Sequence, residues 1–480
     1  MNASDSPEIP PADSPESPPE ESPAPVAPPP AELAVEAAPP PAPRGPLAWY
    51  RGLSVEAKWV FWATVIGGIG RLCFIAFVHK PWKLVYSDMQ NYVGAAEHYA
   101  DLGRATDSGD WYYPSGTAAN IGIWLLVFGK HYGLILAGLW QALLATAVIP
   151  LTFLAGRRFF GARVGMWTAL IYSVHYLPIG FAGLFMSENY LTIGLALAMA
   201  AYVPDSPKRS FWAGMALGFG AWAKSQAFLL APLWGLLLLW RGRRWKSAAA
   251  VMVGVLIWVI PISIVASKKS GVPSFISANG GQTFALGQCP IRSMIYEHPT
   301  QHWRISWSAP DLNQRAPRGE PEGAWGDALF HVPFNNSRYY MRVGWDCIRR
   351  WPANAVRTEF LHFMDTFSGP PWSNIVPWPE SHDGYWVPAM LSNWFVAYLM
   401  APLAFFAWWK KRREDNVWIT FGLPFVSVIF TAVMFHGDPR FREPYDFLFI
   451  MAGVEGFFLV WPGLRDRCKK IQLALGLTGA

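Results

Sequence analysis

Charge is scarce in this sequence. Only 15% of its 480 residues are Asp, Glu, Lys or Arg, where a soluble domain carries roughly 25%. Cysteine is scarce too, at four residues, so a disulfide-built scaffold is excluded. No internal repeat of fixed period is visible, and neither a Walker loop nor a dinucleotide fingerprint occurs. Residues 1–46 lack the basic start and apolar stretch of a signal peptide. What the chain has instead is hydrophobicity. Of its residues 52% are apolar, and runs of about 20 of them recur from Trp59 to Pro462, each long enough to cross a bilayer. The expected fold class is an all-α polytopic membrane protein.

The remaining charge is unevenly placed. Residues 1–46 hold eight acids, one base and 16 of the 42 prolines. Such a segment cannot bury enough apolar surface to offset its ordering entropy, so it reads as a disordered acidic tail on the cytoplasmic side. The rest of the chain is basic, but its bases sit in short clusters between apolar runs. That pattern marks topology rather than nucleic-acid binding. Clusters such as Arg157/Arg158/Arg163, Arg241/Arg243/Arg244/Lys246 and Lys410–Arg413 fix the cytoplasmic ends; Lys268/Lys269 run against the rule. About ten spans follow, near 59–78, 134–155, 164–182, 188–203, two short ones within 210–240, 247–266, 389–409, 416–435 and 445–461.

The expected domains are the tail (1–46), an N-terminal membrane module (58–266) with a first external loop (79–133), an external loop domain of mixed structure (267–388), C-terminal membrane helices (389–461) and a cytoplasmic tail (462–480). Ile121–Phe128 is too short to span and reads as an interfacial helix. Trp111, Tyr112 and Tyr113 before it fit a membrane-surface aromatic belt.

Several polar residues fall at external span ends. Asp88 and Tyr92 have i, i+4 spacing, which places them on one face of a helix. A shielded carboxylate there suits a general base, and it equally suits a helix N-terminus. Glu188 opens a span behind Ser187. Lys224 interrupts an apolar stretch, either as a snorkelling lysine or as a cation facing an anionic headgroup. Arg71 lies inside the first span, where an arginine is a functional candidate. Arg440 and Arg442 flank Phe441 in an external turn, and arginine forks suit phosphate oxygens. The stretch Ser277–Gly287, with Asn279, Gly280, Gly281 and Gln282, allows close approach to a ligand. His298 and His302 make a poor metal pair, with Pro299 between them and no third ligand adjacent. Cys289 and Cys347 share one loop, and Asn335-Asn336-Ser337 is a sequon.

Taken in order, these segments resemble the GT-C superfamily of membrane glycosyltransferases, in particular its protein O-mannosyltransferase-like and aminoarabinose-transferase-like branch. The resemblance is carried by Arg71 with Ser87-Asp88 and Tyr92, by Pro114-Ser115-Gly116, by Ser187-Glu188 and Lys224, and by Asp438-Pro439-Arg440-Phe441-Arg442-Glu443-Pro444 before the last span. The Asn279-Gly280-Gly281 stretch is similar to a loop motif of bacterial members. The resemblance implies a GT-C-like helical bundle. It also implies transfer of a sugar, with inversion, from a polyprenyl-phosphate carrier to an extracytoplasmic acceptor. Asp88 would be the base, Glu188 a second catalytic acid, and Lys224, Arg440, Arg442 and Arg71 the donor-phosphate ligands. Tyr92, Asn279 and Gln282 would position donor and acceptor. The chain departs from the family at Met89, often a second acid, and at Phe441, often Tyr. No metal or other cofactor is expected to be required. The expected location is a bacterial inner membrane with the site facing outward. A transporter or flippase, and a non-catalytic binder of carrier lipid, are the other readings. A transporter places its ionisable groups near the midplane of repeated halves, whereas most candidates here lie at external ends.

Overall fold

The computed structural model describes residues 46–85, 88–102, 111–288, 336–350, 352–368, 383–435 and 437–463. The chain forms two compact units, Met1–Gly52 and Leu53–Ala480. The first contributes one described helix, Pro46–Arg51. The second holds everything that follows. The acidic tail up to residue 45, His298, His302, Asn335, Cys289 and residues 464–480 lie outside the described residues.

Every described element is a helix, and the expected all-helical class is observed. Among the described residues five helices are long and apolar enough to cross a membrane: Val55–Val78, Gly116–Phe159, Trp245–Ser270, Val387–Lys411 and Asp415–Met434. A sixth candidate is the pair Tyr176–Ala182 and Ser187–Ala201, bent by 120°. The other expected spans correspond to shorter helices: Ala162–Val174, Pro207–Ala223, Gln226–Gly242 and Asp446–Val460. In the external loop expected to be of mixed structure, the described elements are the helices Gly280–Gln288, Ser337–Arg350 and Pro352–Ser368, preceded by irregular backbone over 271–279. Cys347 within it is disulfide-bonded.

Local signals account for the boundaries that matter. Ser54 starts the first long helix by accepting the Ala57 N–H at 3.2 Å, the usual service of a serine N-cap. Gly129 breaks Gly116–Phe159 with φ +69°, a conformation that favours glycine. The break separates the short expected interfacial helix from the long span after it. Lys224, extended at φ −147° and ψ 114°, ends Pro207–Ala223 before Gln226 begins the next helix, so the expected division of 210–240 is present.

The main core joins the membrane helices through Leu191, Leu217, Trp234, Val251, Phe447 and Phe449. Trp234 packs edge-on to Tyr202, with ring centroids 4.6 Å apart. A second apolar cluster seats the loop helix Asp88–Tyr99 on Ile121 and Leu125 through Met89, Tyr92, Val93 and Ala96. That seat fixes the position of Asp88.

Candidate active site

The end of the bundle carrying the first loop holds a cavity of about 860 Å³, open mouth included. Four segments distant in sequence meet there: the start of Asp88–Tyr99, the start of Ser187–Ala201, the break at Lys224, and the turn at Arg440. Each is held in place by identifiable contacts.

Asp88 opens its helix and Tyr92 follows on the same face, as expected; both line the cavity. Met89, between them in sequence, points the other way. It is buried, and its sulfur accepts the Phe185 N–H at 3.3 Å. Met89 is therefore an apolar anchor for the start of this helix.

The turn before Glu188 is pinned by buried polar side chains. Gln141 donates to the carbonyls of Phe181 and Ala182 at 3.3 and 3.2 Å. Asn189 donates to Phe181 O at 2.6 Å, and His79 Nδ1 lies 2.7 Å from Gly183 O. Glu188, with only 1% of its side chain exposed, is thereby fixed at the cavity wall.

Lys224 is placed by a close backbone approach. A Cβ on Gly116 would stand 2.6 Å from the carbonyl carbon and oxygen of Trp222, so only glycine fits there without a shift. Ser115 reinforces the contact by accepting the Trp222 indole N–H at 3.0 Å. This is the structural use of the Pro114-Ser115-Gly116 segment.

In the last turn, Asp438 caps Pro439–Arg442 by accepting the Arg440 N–H at 2.9 Å, with proline at the first helical position. Residues two apart in a helical turn do not share a face. Arg440 points to the cavity. Arg442 points inward, fully buried, with Nε 2.8 Å from Asp446 Oδ1 and Nη2 2.6 Å from Asn393 Oδ1.

The charges come in two matched pairs. Arg440 Nη1 donates to Asp88 Oδ2 at 2.7 Å, and Lys224 Nζ donates to Glu188 Oε1 at 2.6 Å. Phe441 lies between the two cations, its ring centroid 4.6 Å from Lys224 Nζ and 5.2 Å from Arg440 Cζ. Tyr113 donates its hydroxyl to Asp88 Oδ1 at 2.8 Å. Burial and the nearby Asp88 push the Tyr113 phenol well above its usual value and Tyr112 up to about 12, so both remain donors at neutral pH. Asp88 and then Asp438 hold Arg440 above its ordinary value against the opposing effect of burial.

The structure thus brings Asp88, Tyr92, Glu188, Lys224, Asn279 and Arg440 to one cavity. It does not bring Arg442, Arg71 or Gln282 to its lining. Arg71 is fully buried in the first span, donating to Gly67 O at 3.0 Å. Ser277, Gly280 and Thr283 represent the glycine-bearing stretch at the cavity. Tyr112 and Tyr113, read from sequence as a surface belt, instead form the wall beside Asp88. Gln226, Thr431 and Phe435 also line it. No sequence signal distinguished these last two from ordinary span residues, whereas Gln226 stands out in its apolar stretch.

The same arrangement of helices occurs among solved proteins. The chain shares its fold with an archaeal oligosaccharyltransferase. The Archaeoglobus fulgidus enzyme tethered to an acceptor peptide containing the NVT sequon superposes with a TM-score of 0.50 over 90% of this chain, at 12% identity. Its apo form gives 0.50 over 89%, also at 12%. The chain spans about half the length of these structures, at 52% of each. ArnT from Cupriavidus metallidurans bound to undecaprenyl phosphate is similar more loosely, with a TM-score of 0.39, 15% identity, and coverage of 84% of this chain and 77% of that one. No protein-family model and no curated protein matches the sequence. The likeness is one of fold, and the protein is a multi-pass helical membrane protein.

Proposed function

We propose that this protein is an inverting glycosyltransferase that moves a sugar from a polyprenyl-phosphate carrier to an acceptor outside the cytoplasm, in a bacterial inner membrane. The observation that carries the reading is the pairing of two carboxylates with two cations, Asp88 with Arg440 and Glu188 with Lys224, inside one open cavity. A carrier phosphate needs fixed positive charge at the membrane, and a hydroxyl or amide acceptor needs a base nearby. The cavity offers both.

The acceptor oxygen or nitrogen attacks the anomeric carbon from the side of Asp88. The bond between that carbon and the phosphate oxygen breaks, and its electron pair leaves with the carrier phosphate. Lys224 and Arg440 stabilise the charge as it develops on that leaving group, acting as preorganised cations. Asp88 takes the acceptor's proton. Glu188 holds the Lys224 ammonium in place. The aromatic wall of Tyr92, Tyr112 and Tyr113 flanks the sugar, and Ser277, Asn279 and Thr283 lie on the acceptor side. Arg442 and Arg71 are left out of the phosphate site because neither lines the cavity. In this reading the reaction requires no divalent cation, since both cavity carboxylates already face protein cations.

The test is transfer of label from a panel of polyprenyl-phosphate sugars by the purified chain in lipid, with and without EDTA, alongside Asp88→Asn. Transfer by the wild type that survives EDTA and falls at least about 100-fold in the variant is the expected result. Equal transfer by both proteins would remove Asp88 from the mechanism. Loss with EDTA, restored by magnesium or manganese, would overturn the metal-free scheme.

A further inference from the structure

The helices that build the cavity carry a second cluster at their other ends. Gln226 lines the cavity, and Arg241 lies 15 residues further along the same helix, about 23 Å away at about 1.5 Å per residue. Thr431 lines the cavity, and Asp415 lies at the opposite end of Asp415–Met434. Arg241, Arg413 and Asp415 surround an open depression there.

Three features suit this depression to an anion. First, Arg241 is braced before any ligand arrives. It donates to Arg412 O, and its guanidinium carbon lies 5.3 and 5.5 Å from the Trp240 and Trp418 ring centroids. Second, the one carboxylate among the described lining residues is shared between two arginines: Asp415 Oδ2 accepts from Arg244 Nη1 at 2.7 Å and its Oδ1 lies 3.7 Å from Arg241 Nη1, so the cations of this end, with Arg413 among them, outnumber it. Arg413 is exposed and has no ion pair or hydrogen bond among the described residues. Third, the depth is marked. Trp240, Trp245 and Trp409 are 73%, 63% and 54% exposed around it, and exposed tryptophans of membrane helices sit at headgroup level.

We propose that Arg241 and Arg413 form a binding site for the phosphodiester of an anionic phospholipid, in the leaflet opposite the candidate active site. A planar guanidinium held between aromatic rings presents a fork of donors at low ordering cost. Arg413 adds the second cation. Basic pockets between membrane helices at this level bind anionic headgroups. The site is independent of the proposed transfer chemistry, since none of its residues lines the cavity.

Native mass spectrometry of the full chain in detergent tests this, using phosphatidylglycerol and phosphatidylcholine of the same acyl composition. The expected result is preferential retention of phosphatidylglycerol, lowered about tenfold (about 1.4 kcal/mol) in Arg241→Gln and in Arg413→Gln. Arg241 is held by two tryptophan rings, whereas Arg413 is exposed and makes no ion pair or hydrogen bond among the described residues, so Arg413→Gln tests the site even if Arg241→Gln folds poorly. Lys208→Gln/Arg209→Gln, a basic pair elsewhere, is expected to leave the preference unchanged. Equal loss in that control would replace the site by a diffuse charge effect. Equal retention of phosphatidylcholine would remove it. Displacement of phosphatidylglycerol by millimolar inorganic phosphate would make it a free-phosphate site.

Discussion

Replacing Asp88 by Asn separates the two roles assigned to the Asp88–Arg440 pair. In the cavity the carboxylate holds Arg440 at 2.7 Å, with the two side chains only 19% and 13% exposed. The gross Coulomb attraction at that distance is about 6 kcal/mol for an effective dielectric of about 20. Most of it is offset by the desolvation of both groups. A charge-assisted hydrogen bond nets about 1.5–3 kcal/mol, and partial exposure puts this one at about 1–2 kcal/mol. A carrier phosphate that recruits Arg440 must first loosen that contact. Asn removes the competition while keeping the shape. Asp88→Asn is therefore expected to bind polyprenyl phosphate about 5- to 30-fold more tightly while losing transfer. Isothermal titration or microscale thermophoresis in nanodiscs measures the first, and the transfer assay the second. Weaker or unchanged binding by a variant that melts normally would refute the assignment of Arg440 to the phosphate.

Three further outcomes are expected. Lys224→Met leaves Glu188, 1% exposed, without its cation, and is expected to lower stability by about 3–5 kcal/mol; Lys224→Met/Glu188→Gln should regain part of this in denaturant titrations, and additivity within about 0.5 kcal/mol would show the pair is not coupled. Phe441→Leu removes the ring face between two cations, each contact contributing about 0.5–2 kcal/mol; KM for the carrier should rise about tenfold with kcat little changed, Phe441→Tyr should restore it, and a neutral leucine variant would count against the ring. Burial lowers His362 to about 4, so below about 6.5 the unfolded chain binds a proton there that the folded chain refuses. Stability is expected to fall as pH drops from about 6.5 towards 4, by at most about 3 kcal/mol from this group. Melting curves of His362→Asn should lack that share of the pH dependence.

Much of this organisation was legible in the residues. Hydrophobic runs and basic clusters located the membrane helices, because a bilayer demands both length and charge asymmetry. The interruption at Lys224 announced a break, since a lysine amid apolar residues has a cost that only a special position offsets. Asp88 and Tyr92 were readable as one helical face. What stayed hidden depended on contacts between distant segments. Nothing in Tyr113 itself says that its hydroxyl meets Asp88 25 residues away. Arg440 and Arg442 look equivalent in sequence, yet one faces the cavity and the other a buried partner, Asp446. Met89 reads as the loss of an acid until its burial against Phe185 shows it as the anchor that aims its neighbour. Gln141 and Gln226, amides in apolar runs, were overlooked residues with a visible signal.

The brevity of the hairpin at Lys224 has a mechanical consequence for the surrounding lipid. Pro207–Ala223 and Gln226–Gly242 have 17 residues each, or about 25 Å of helix, against a hydrocarbon thickness of about 30 Å. Trp212 and Leu236 on these helices are exposed to the outside of the bundle, so lipid meets the short pair directly. Negative hydrophobic mismatch of this kind is relieved by thinning the adjacent bilayer. Under the proposed function, a headgroup plane lowered towards Lys224 on this flank would let a carrier phosphate on a long isoprenoid chain reach the ammonium by lateral diffusion, without its tail being drawn out of the membrane.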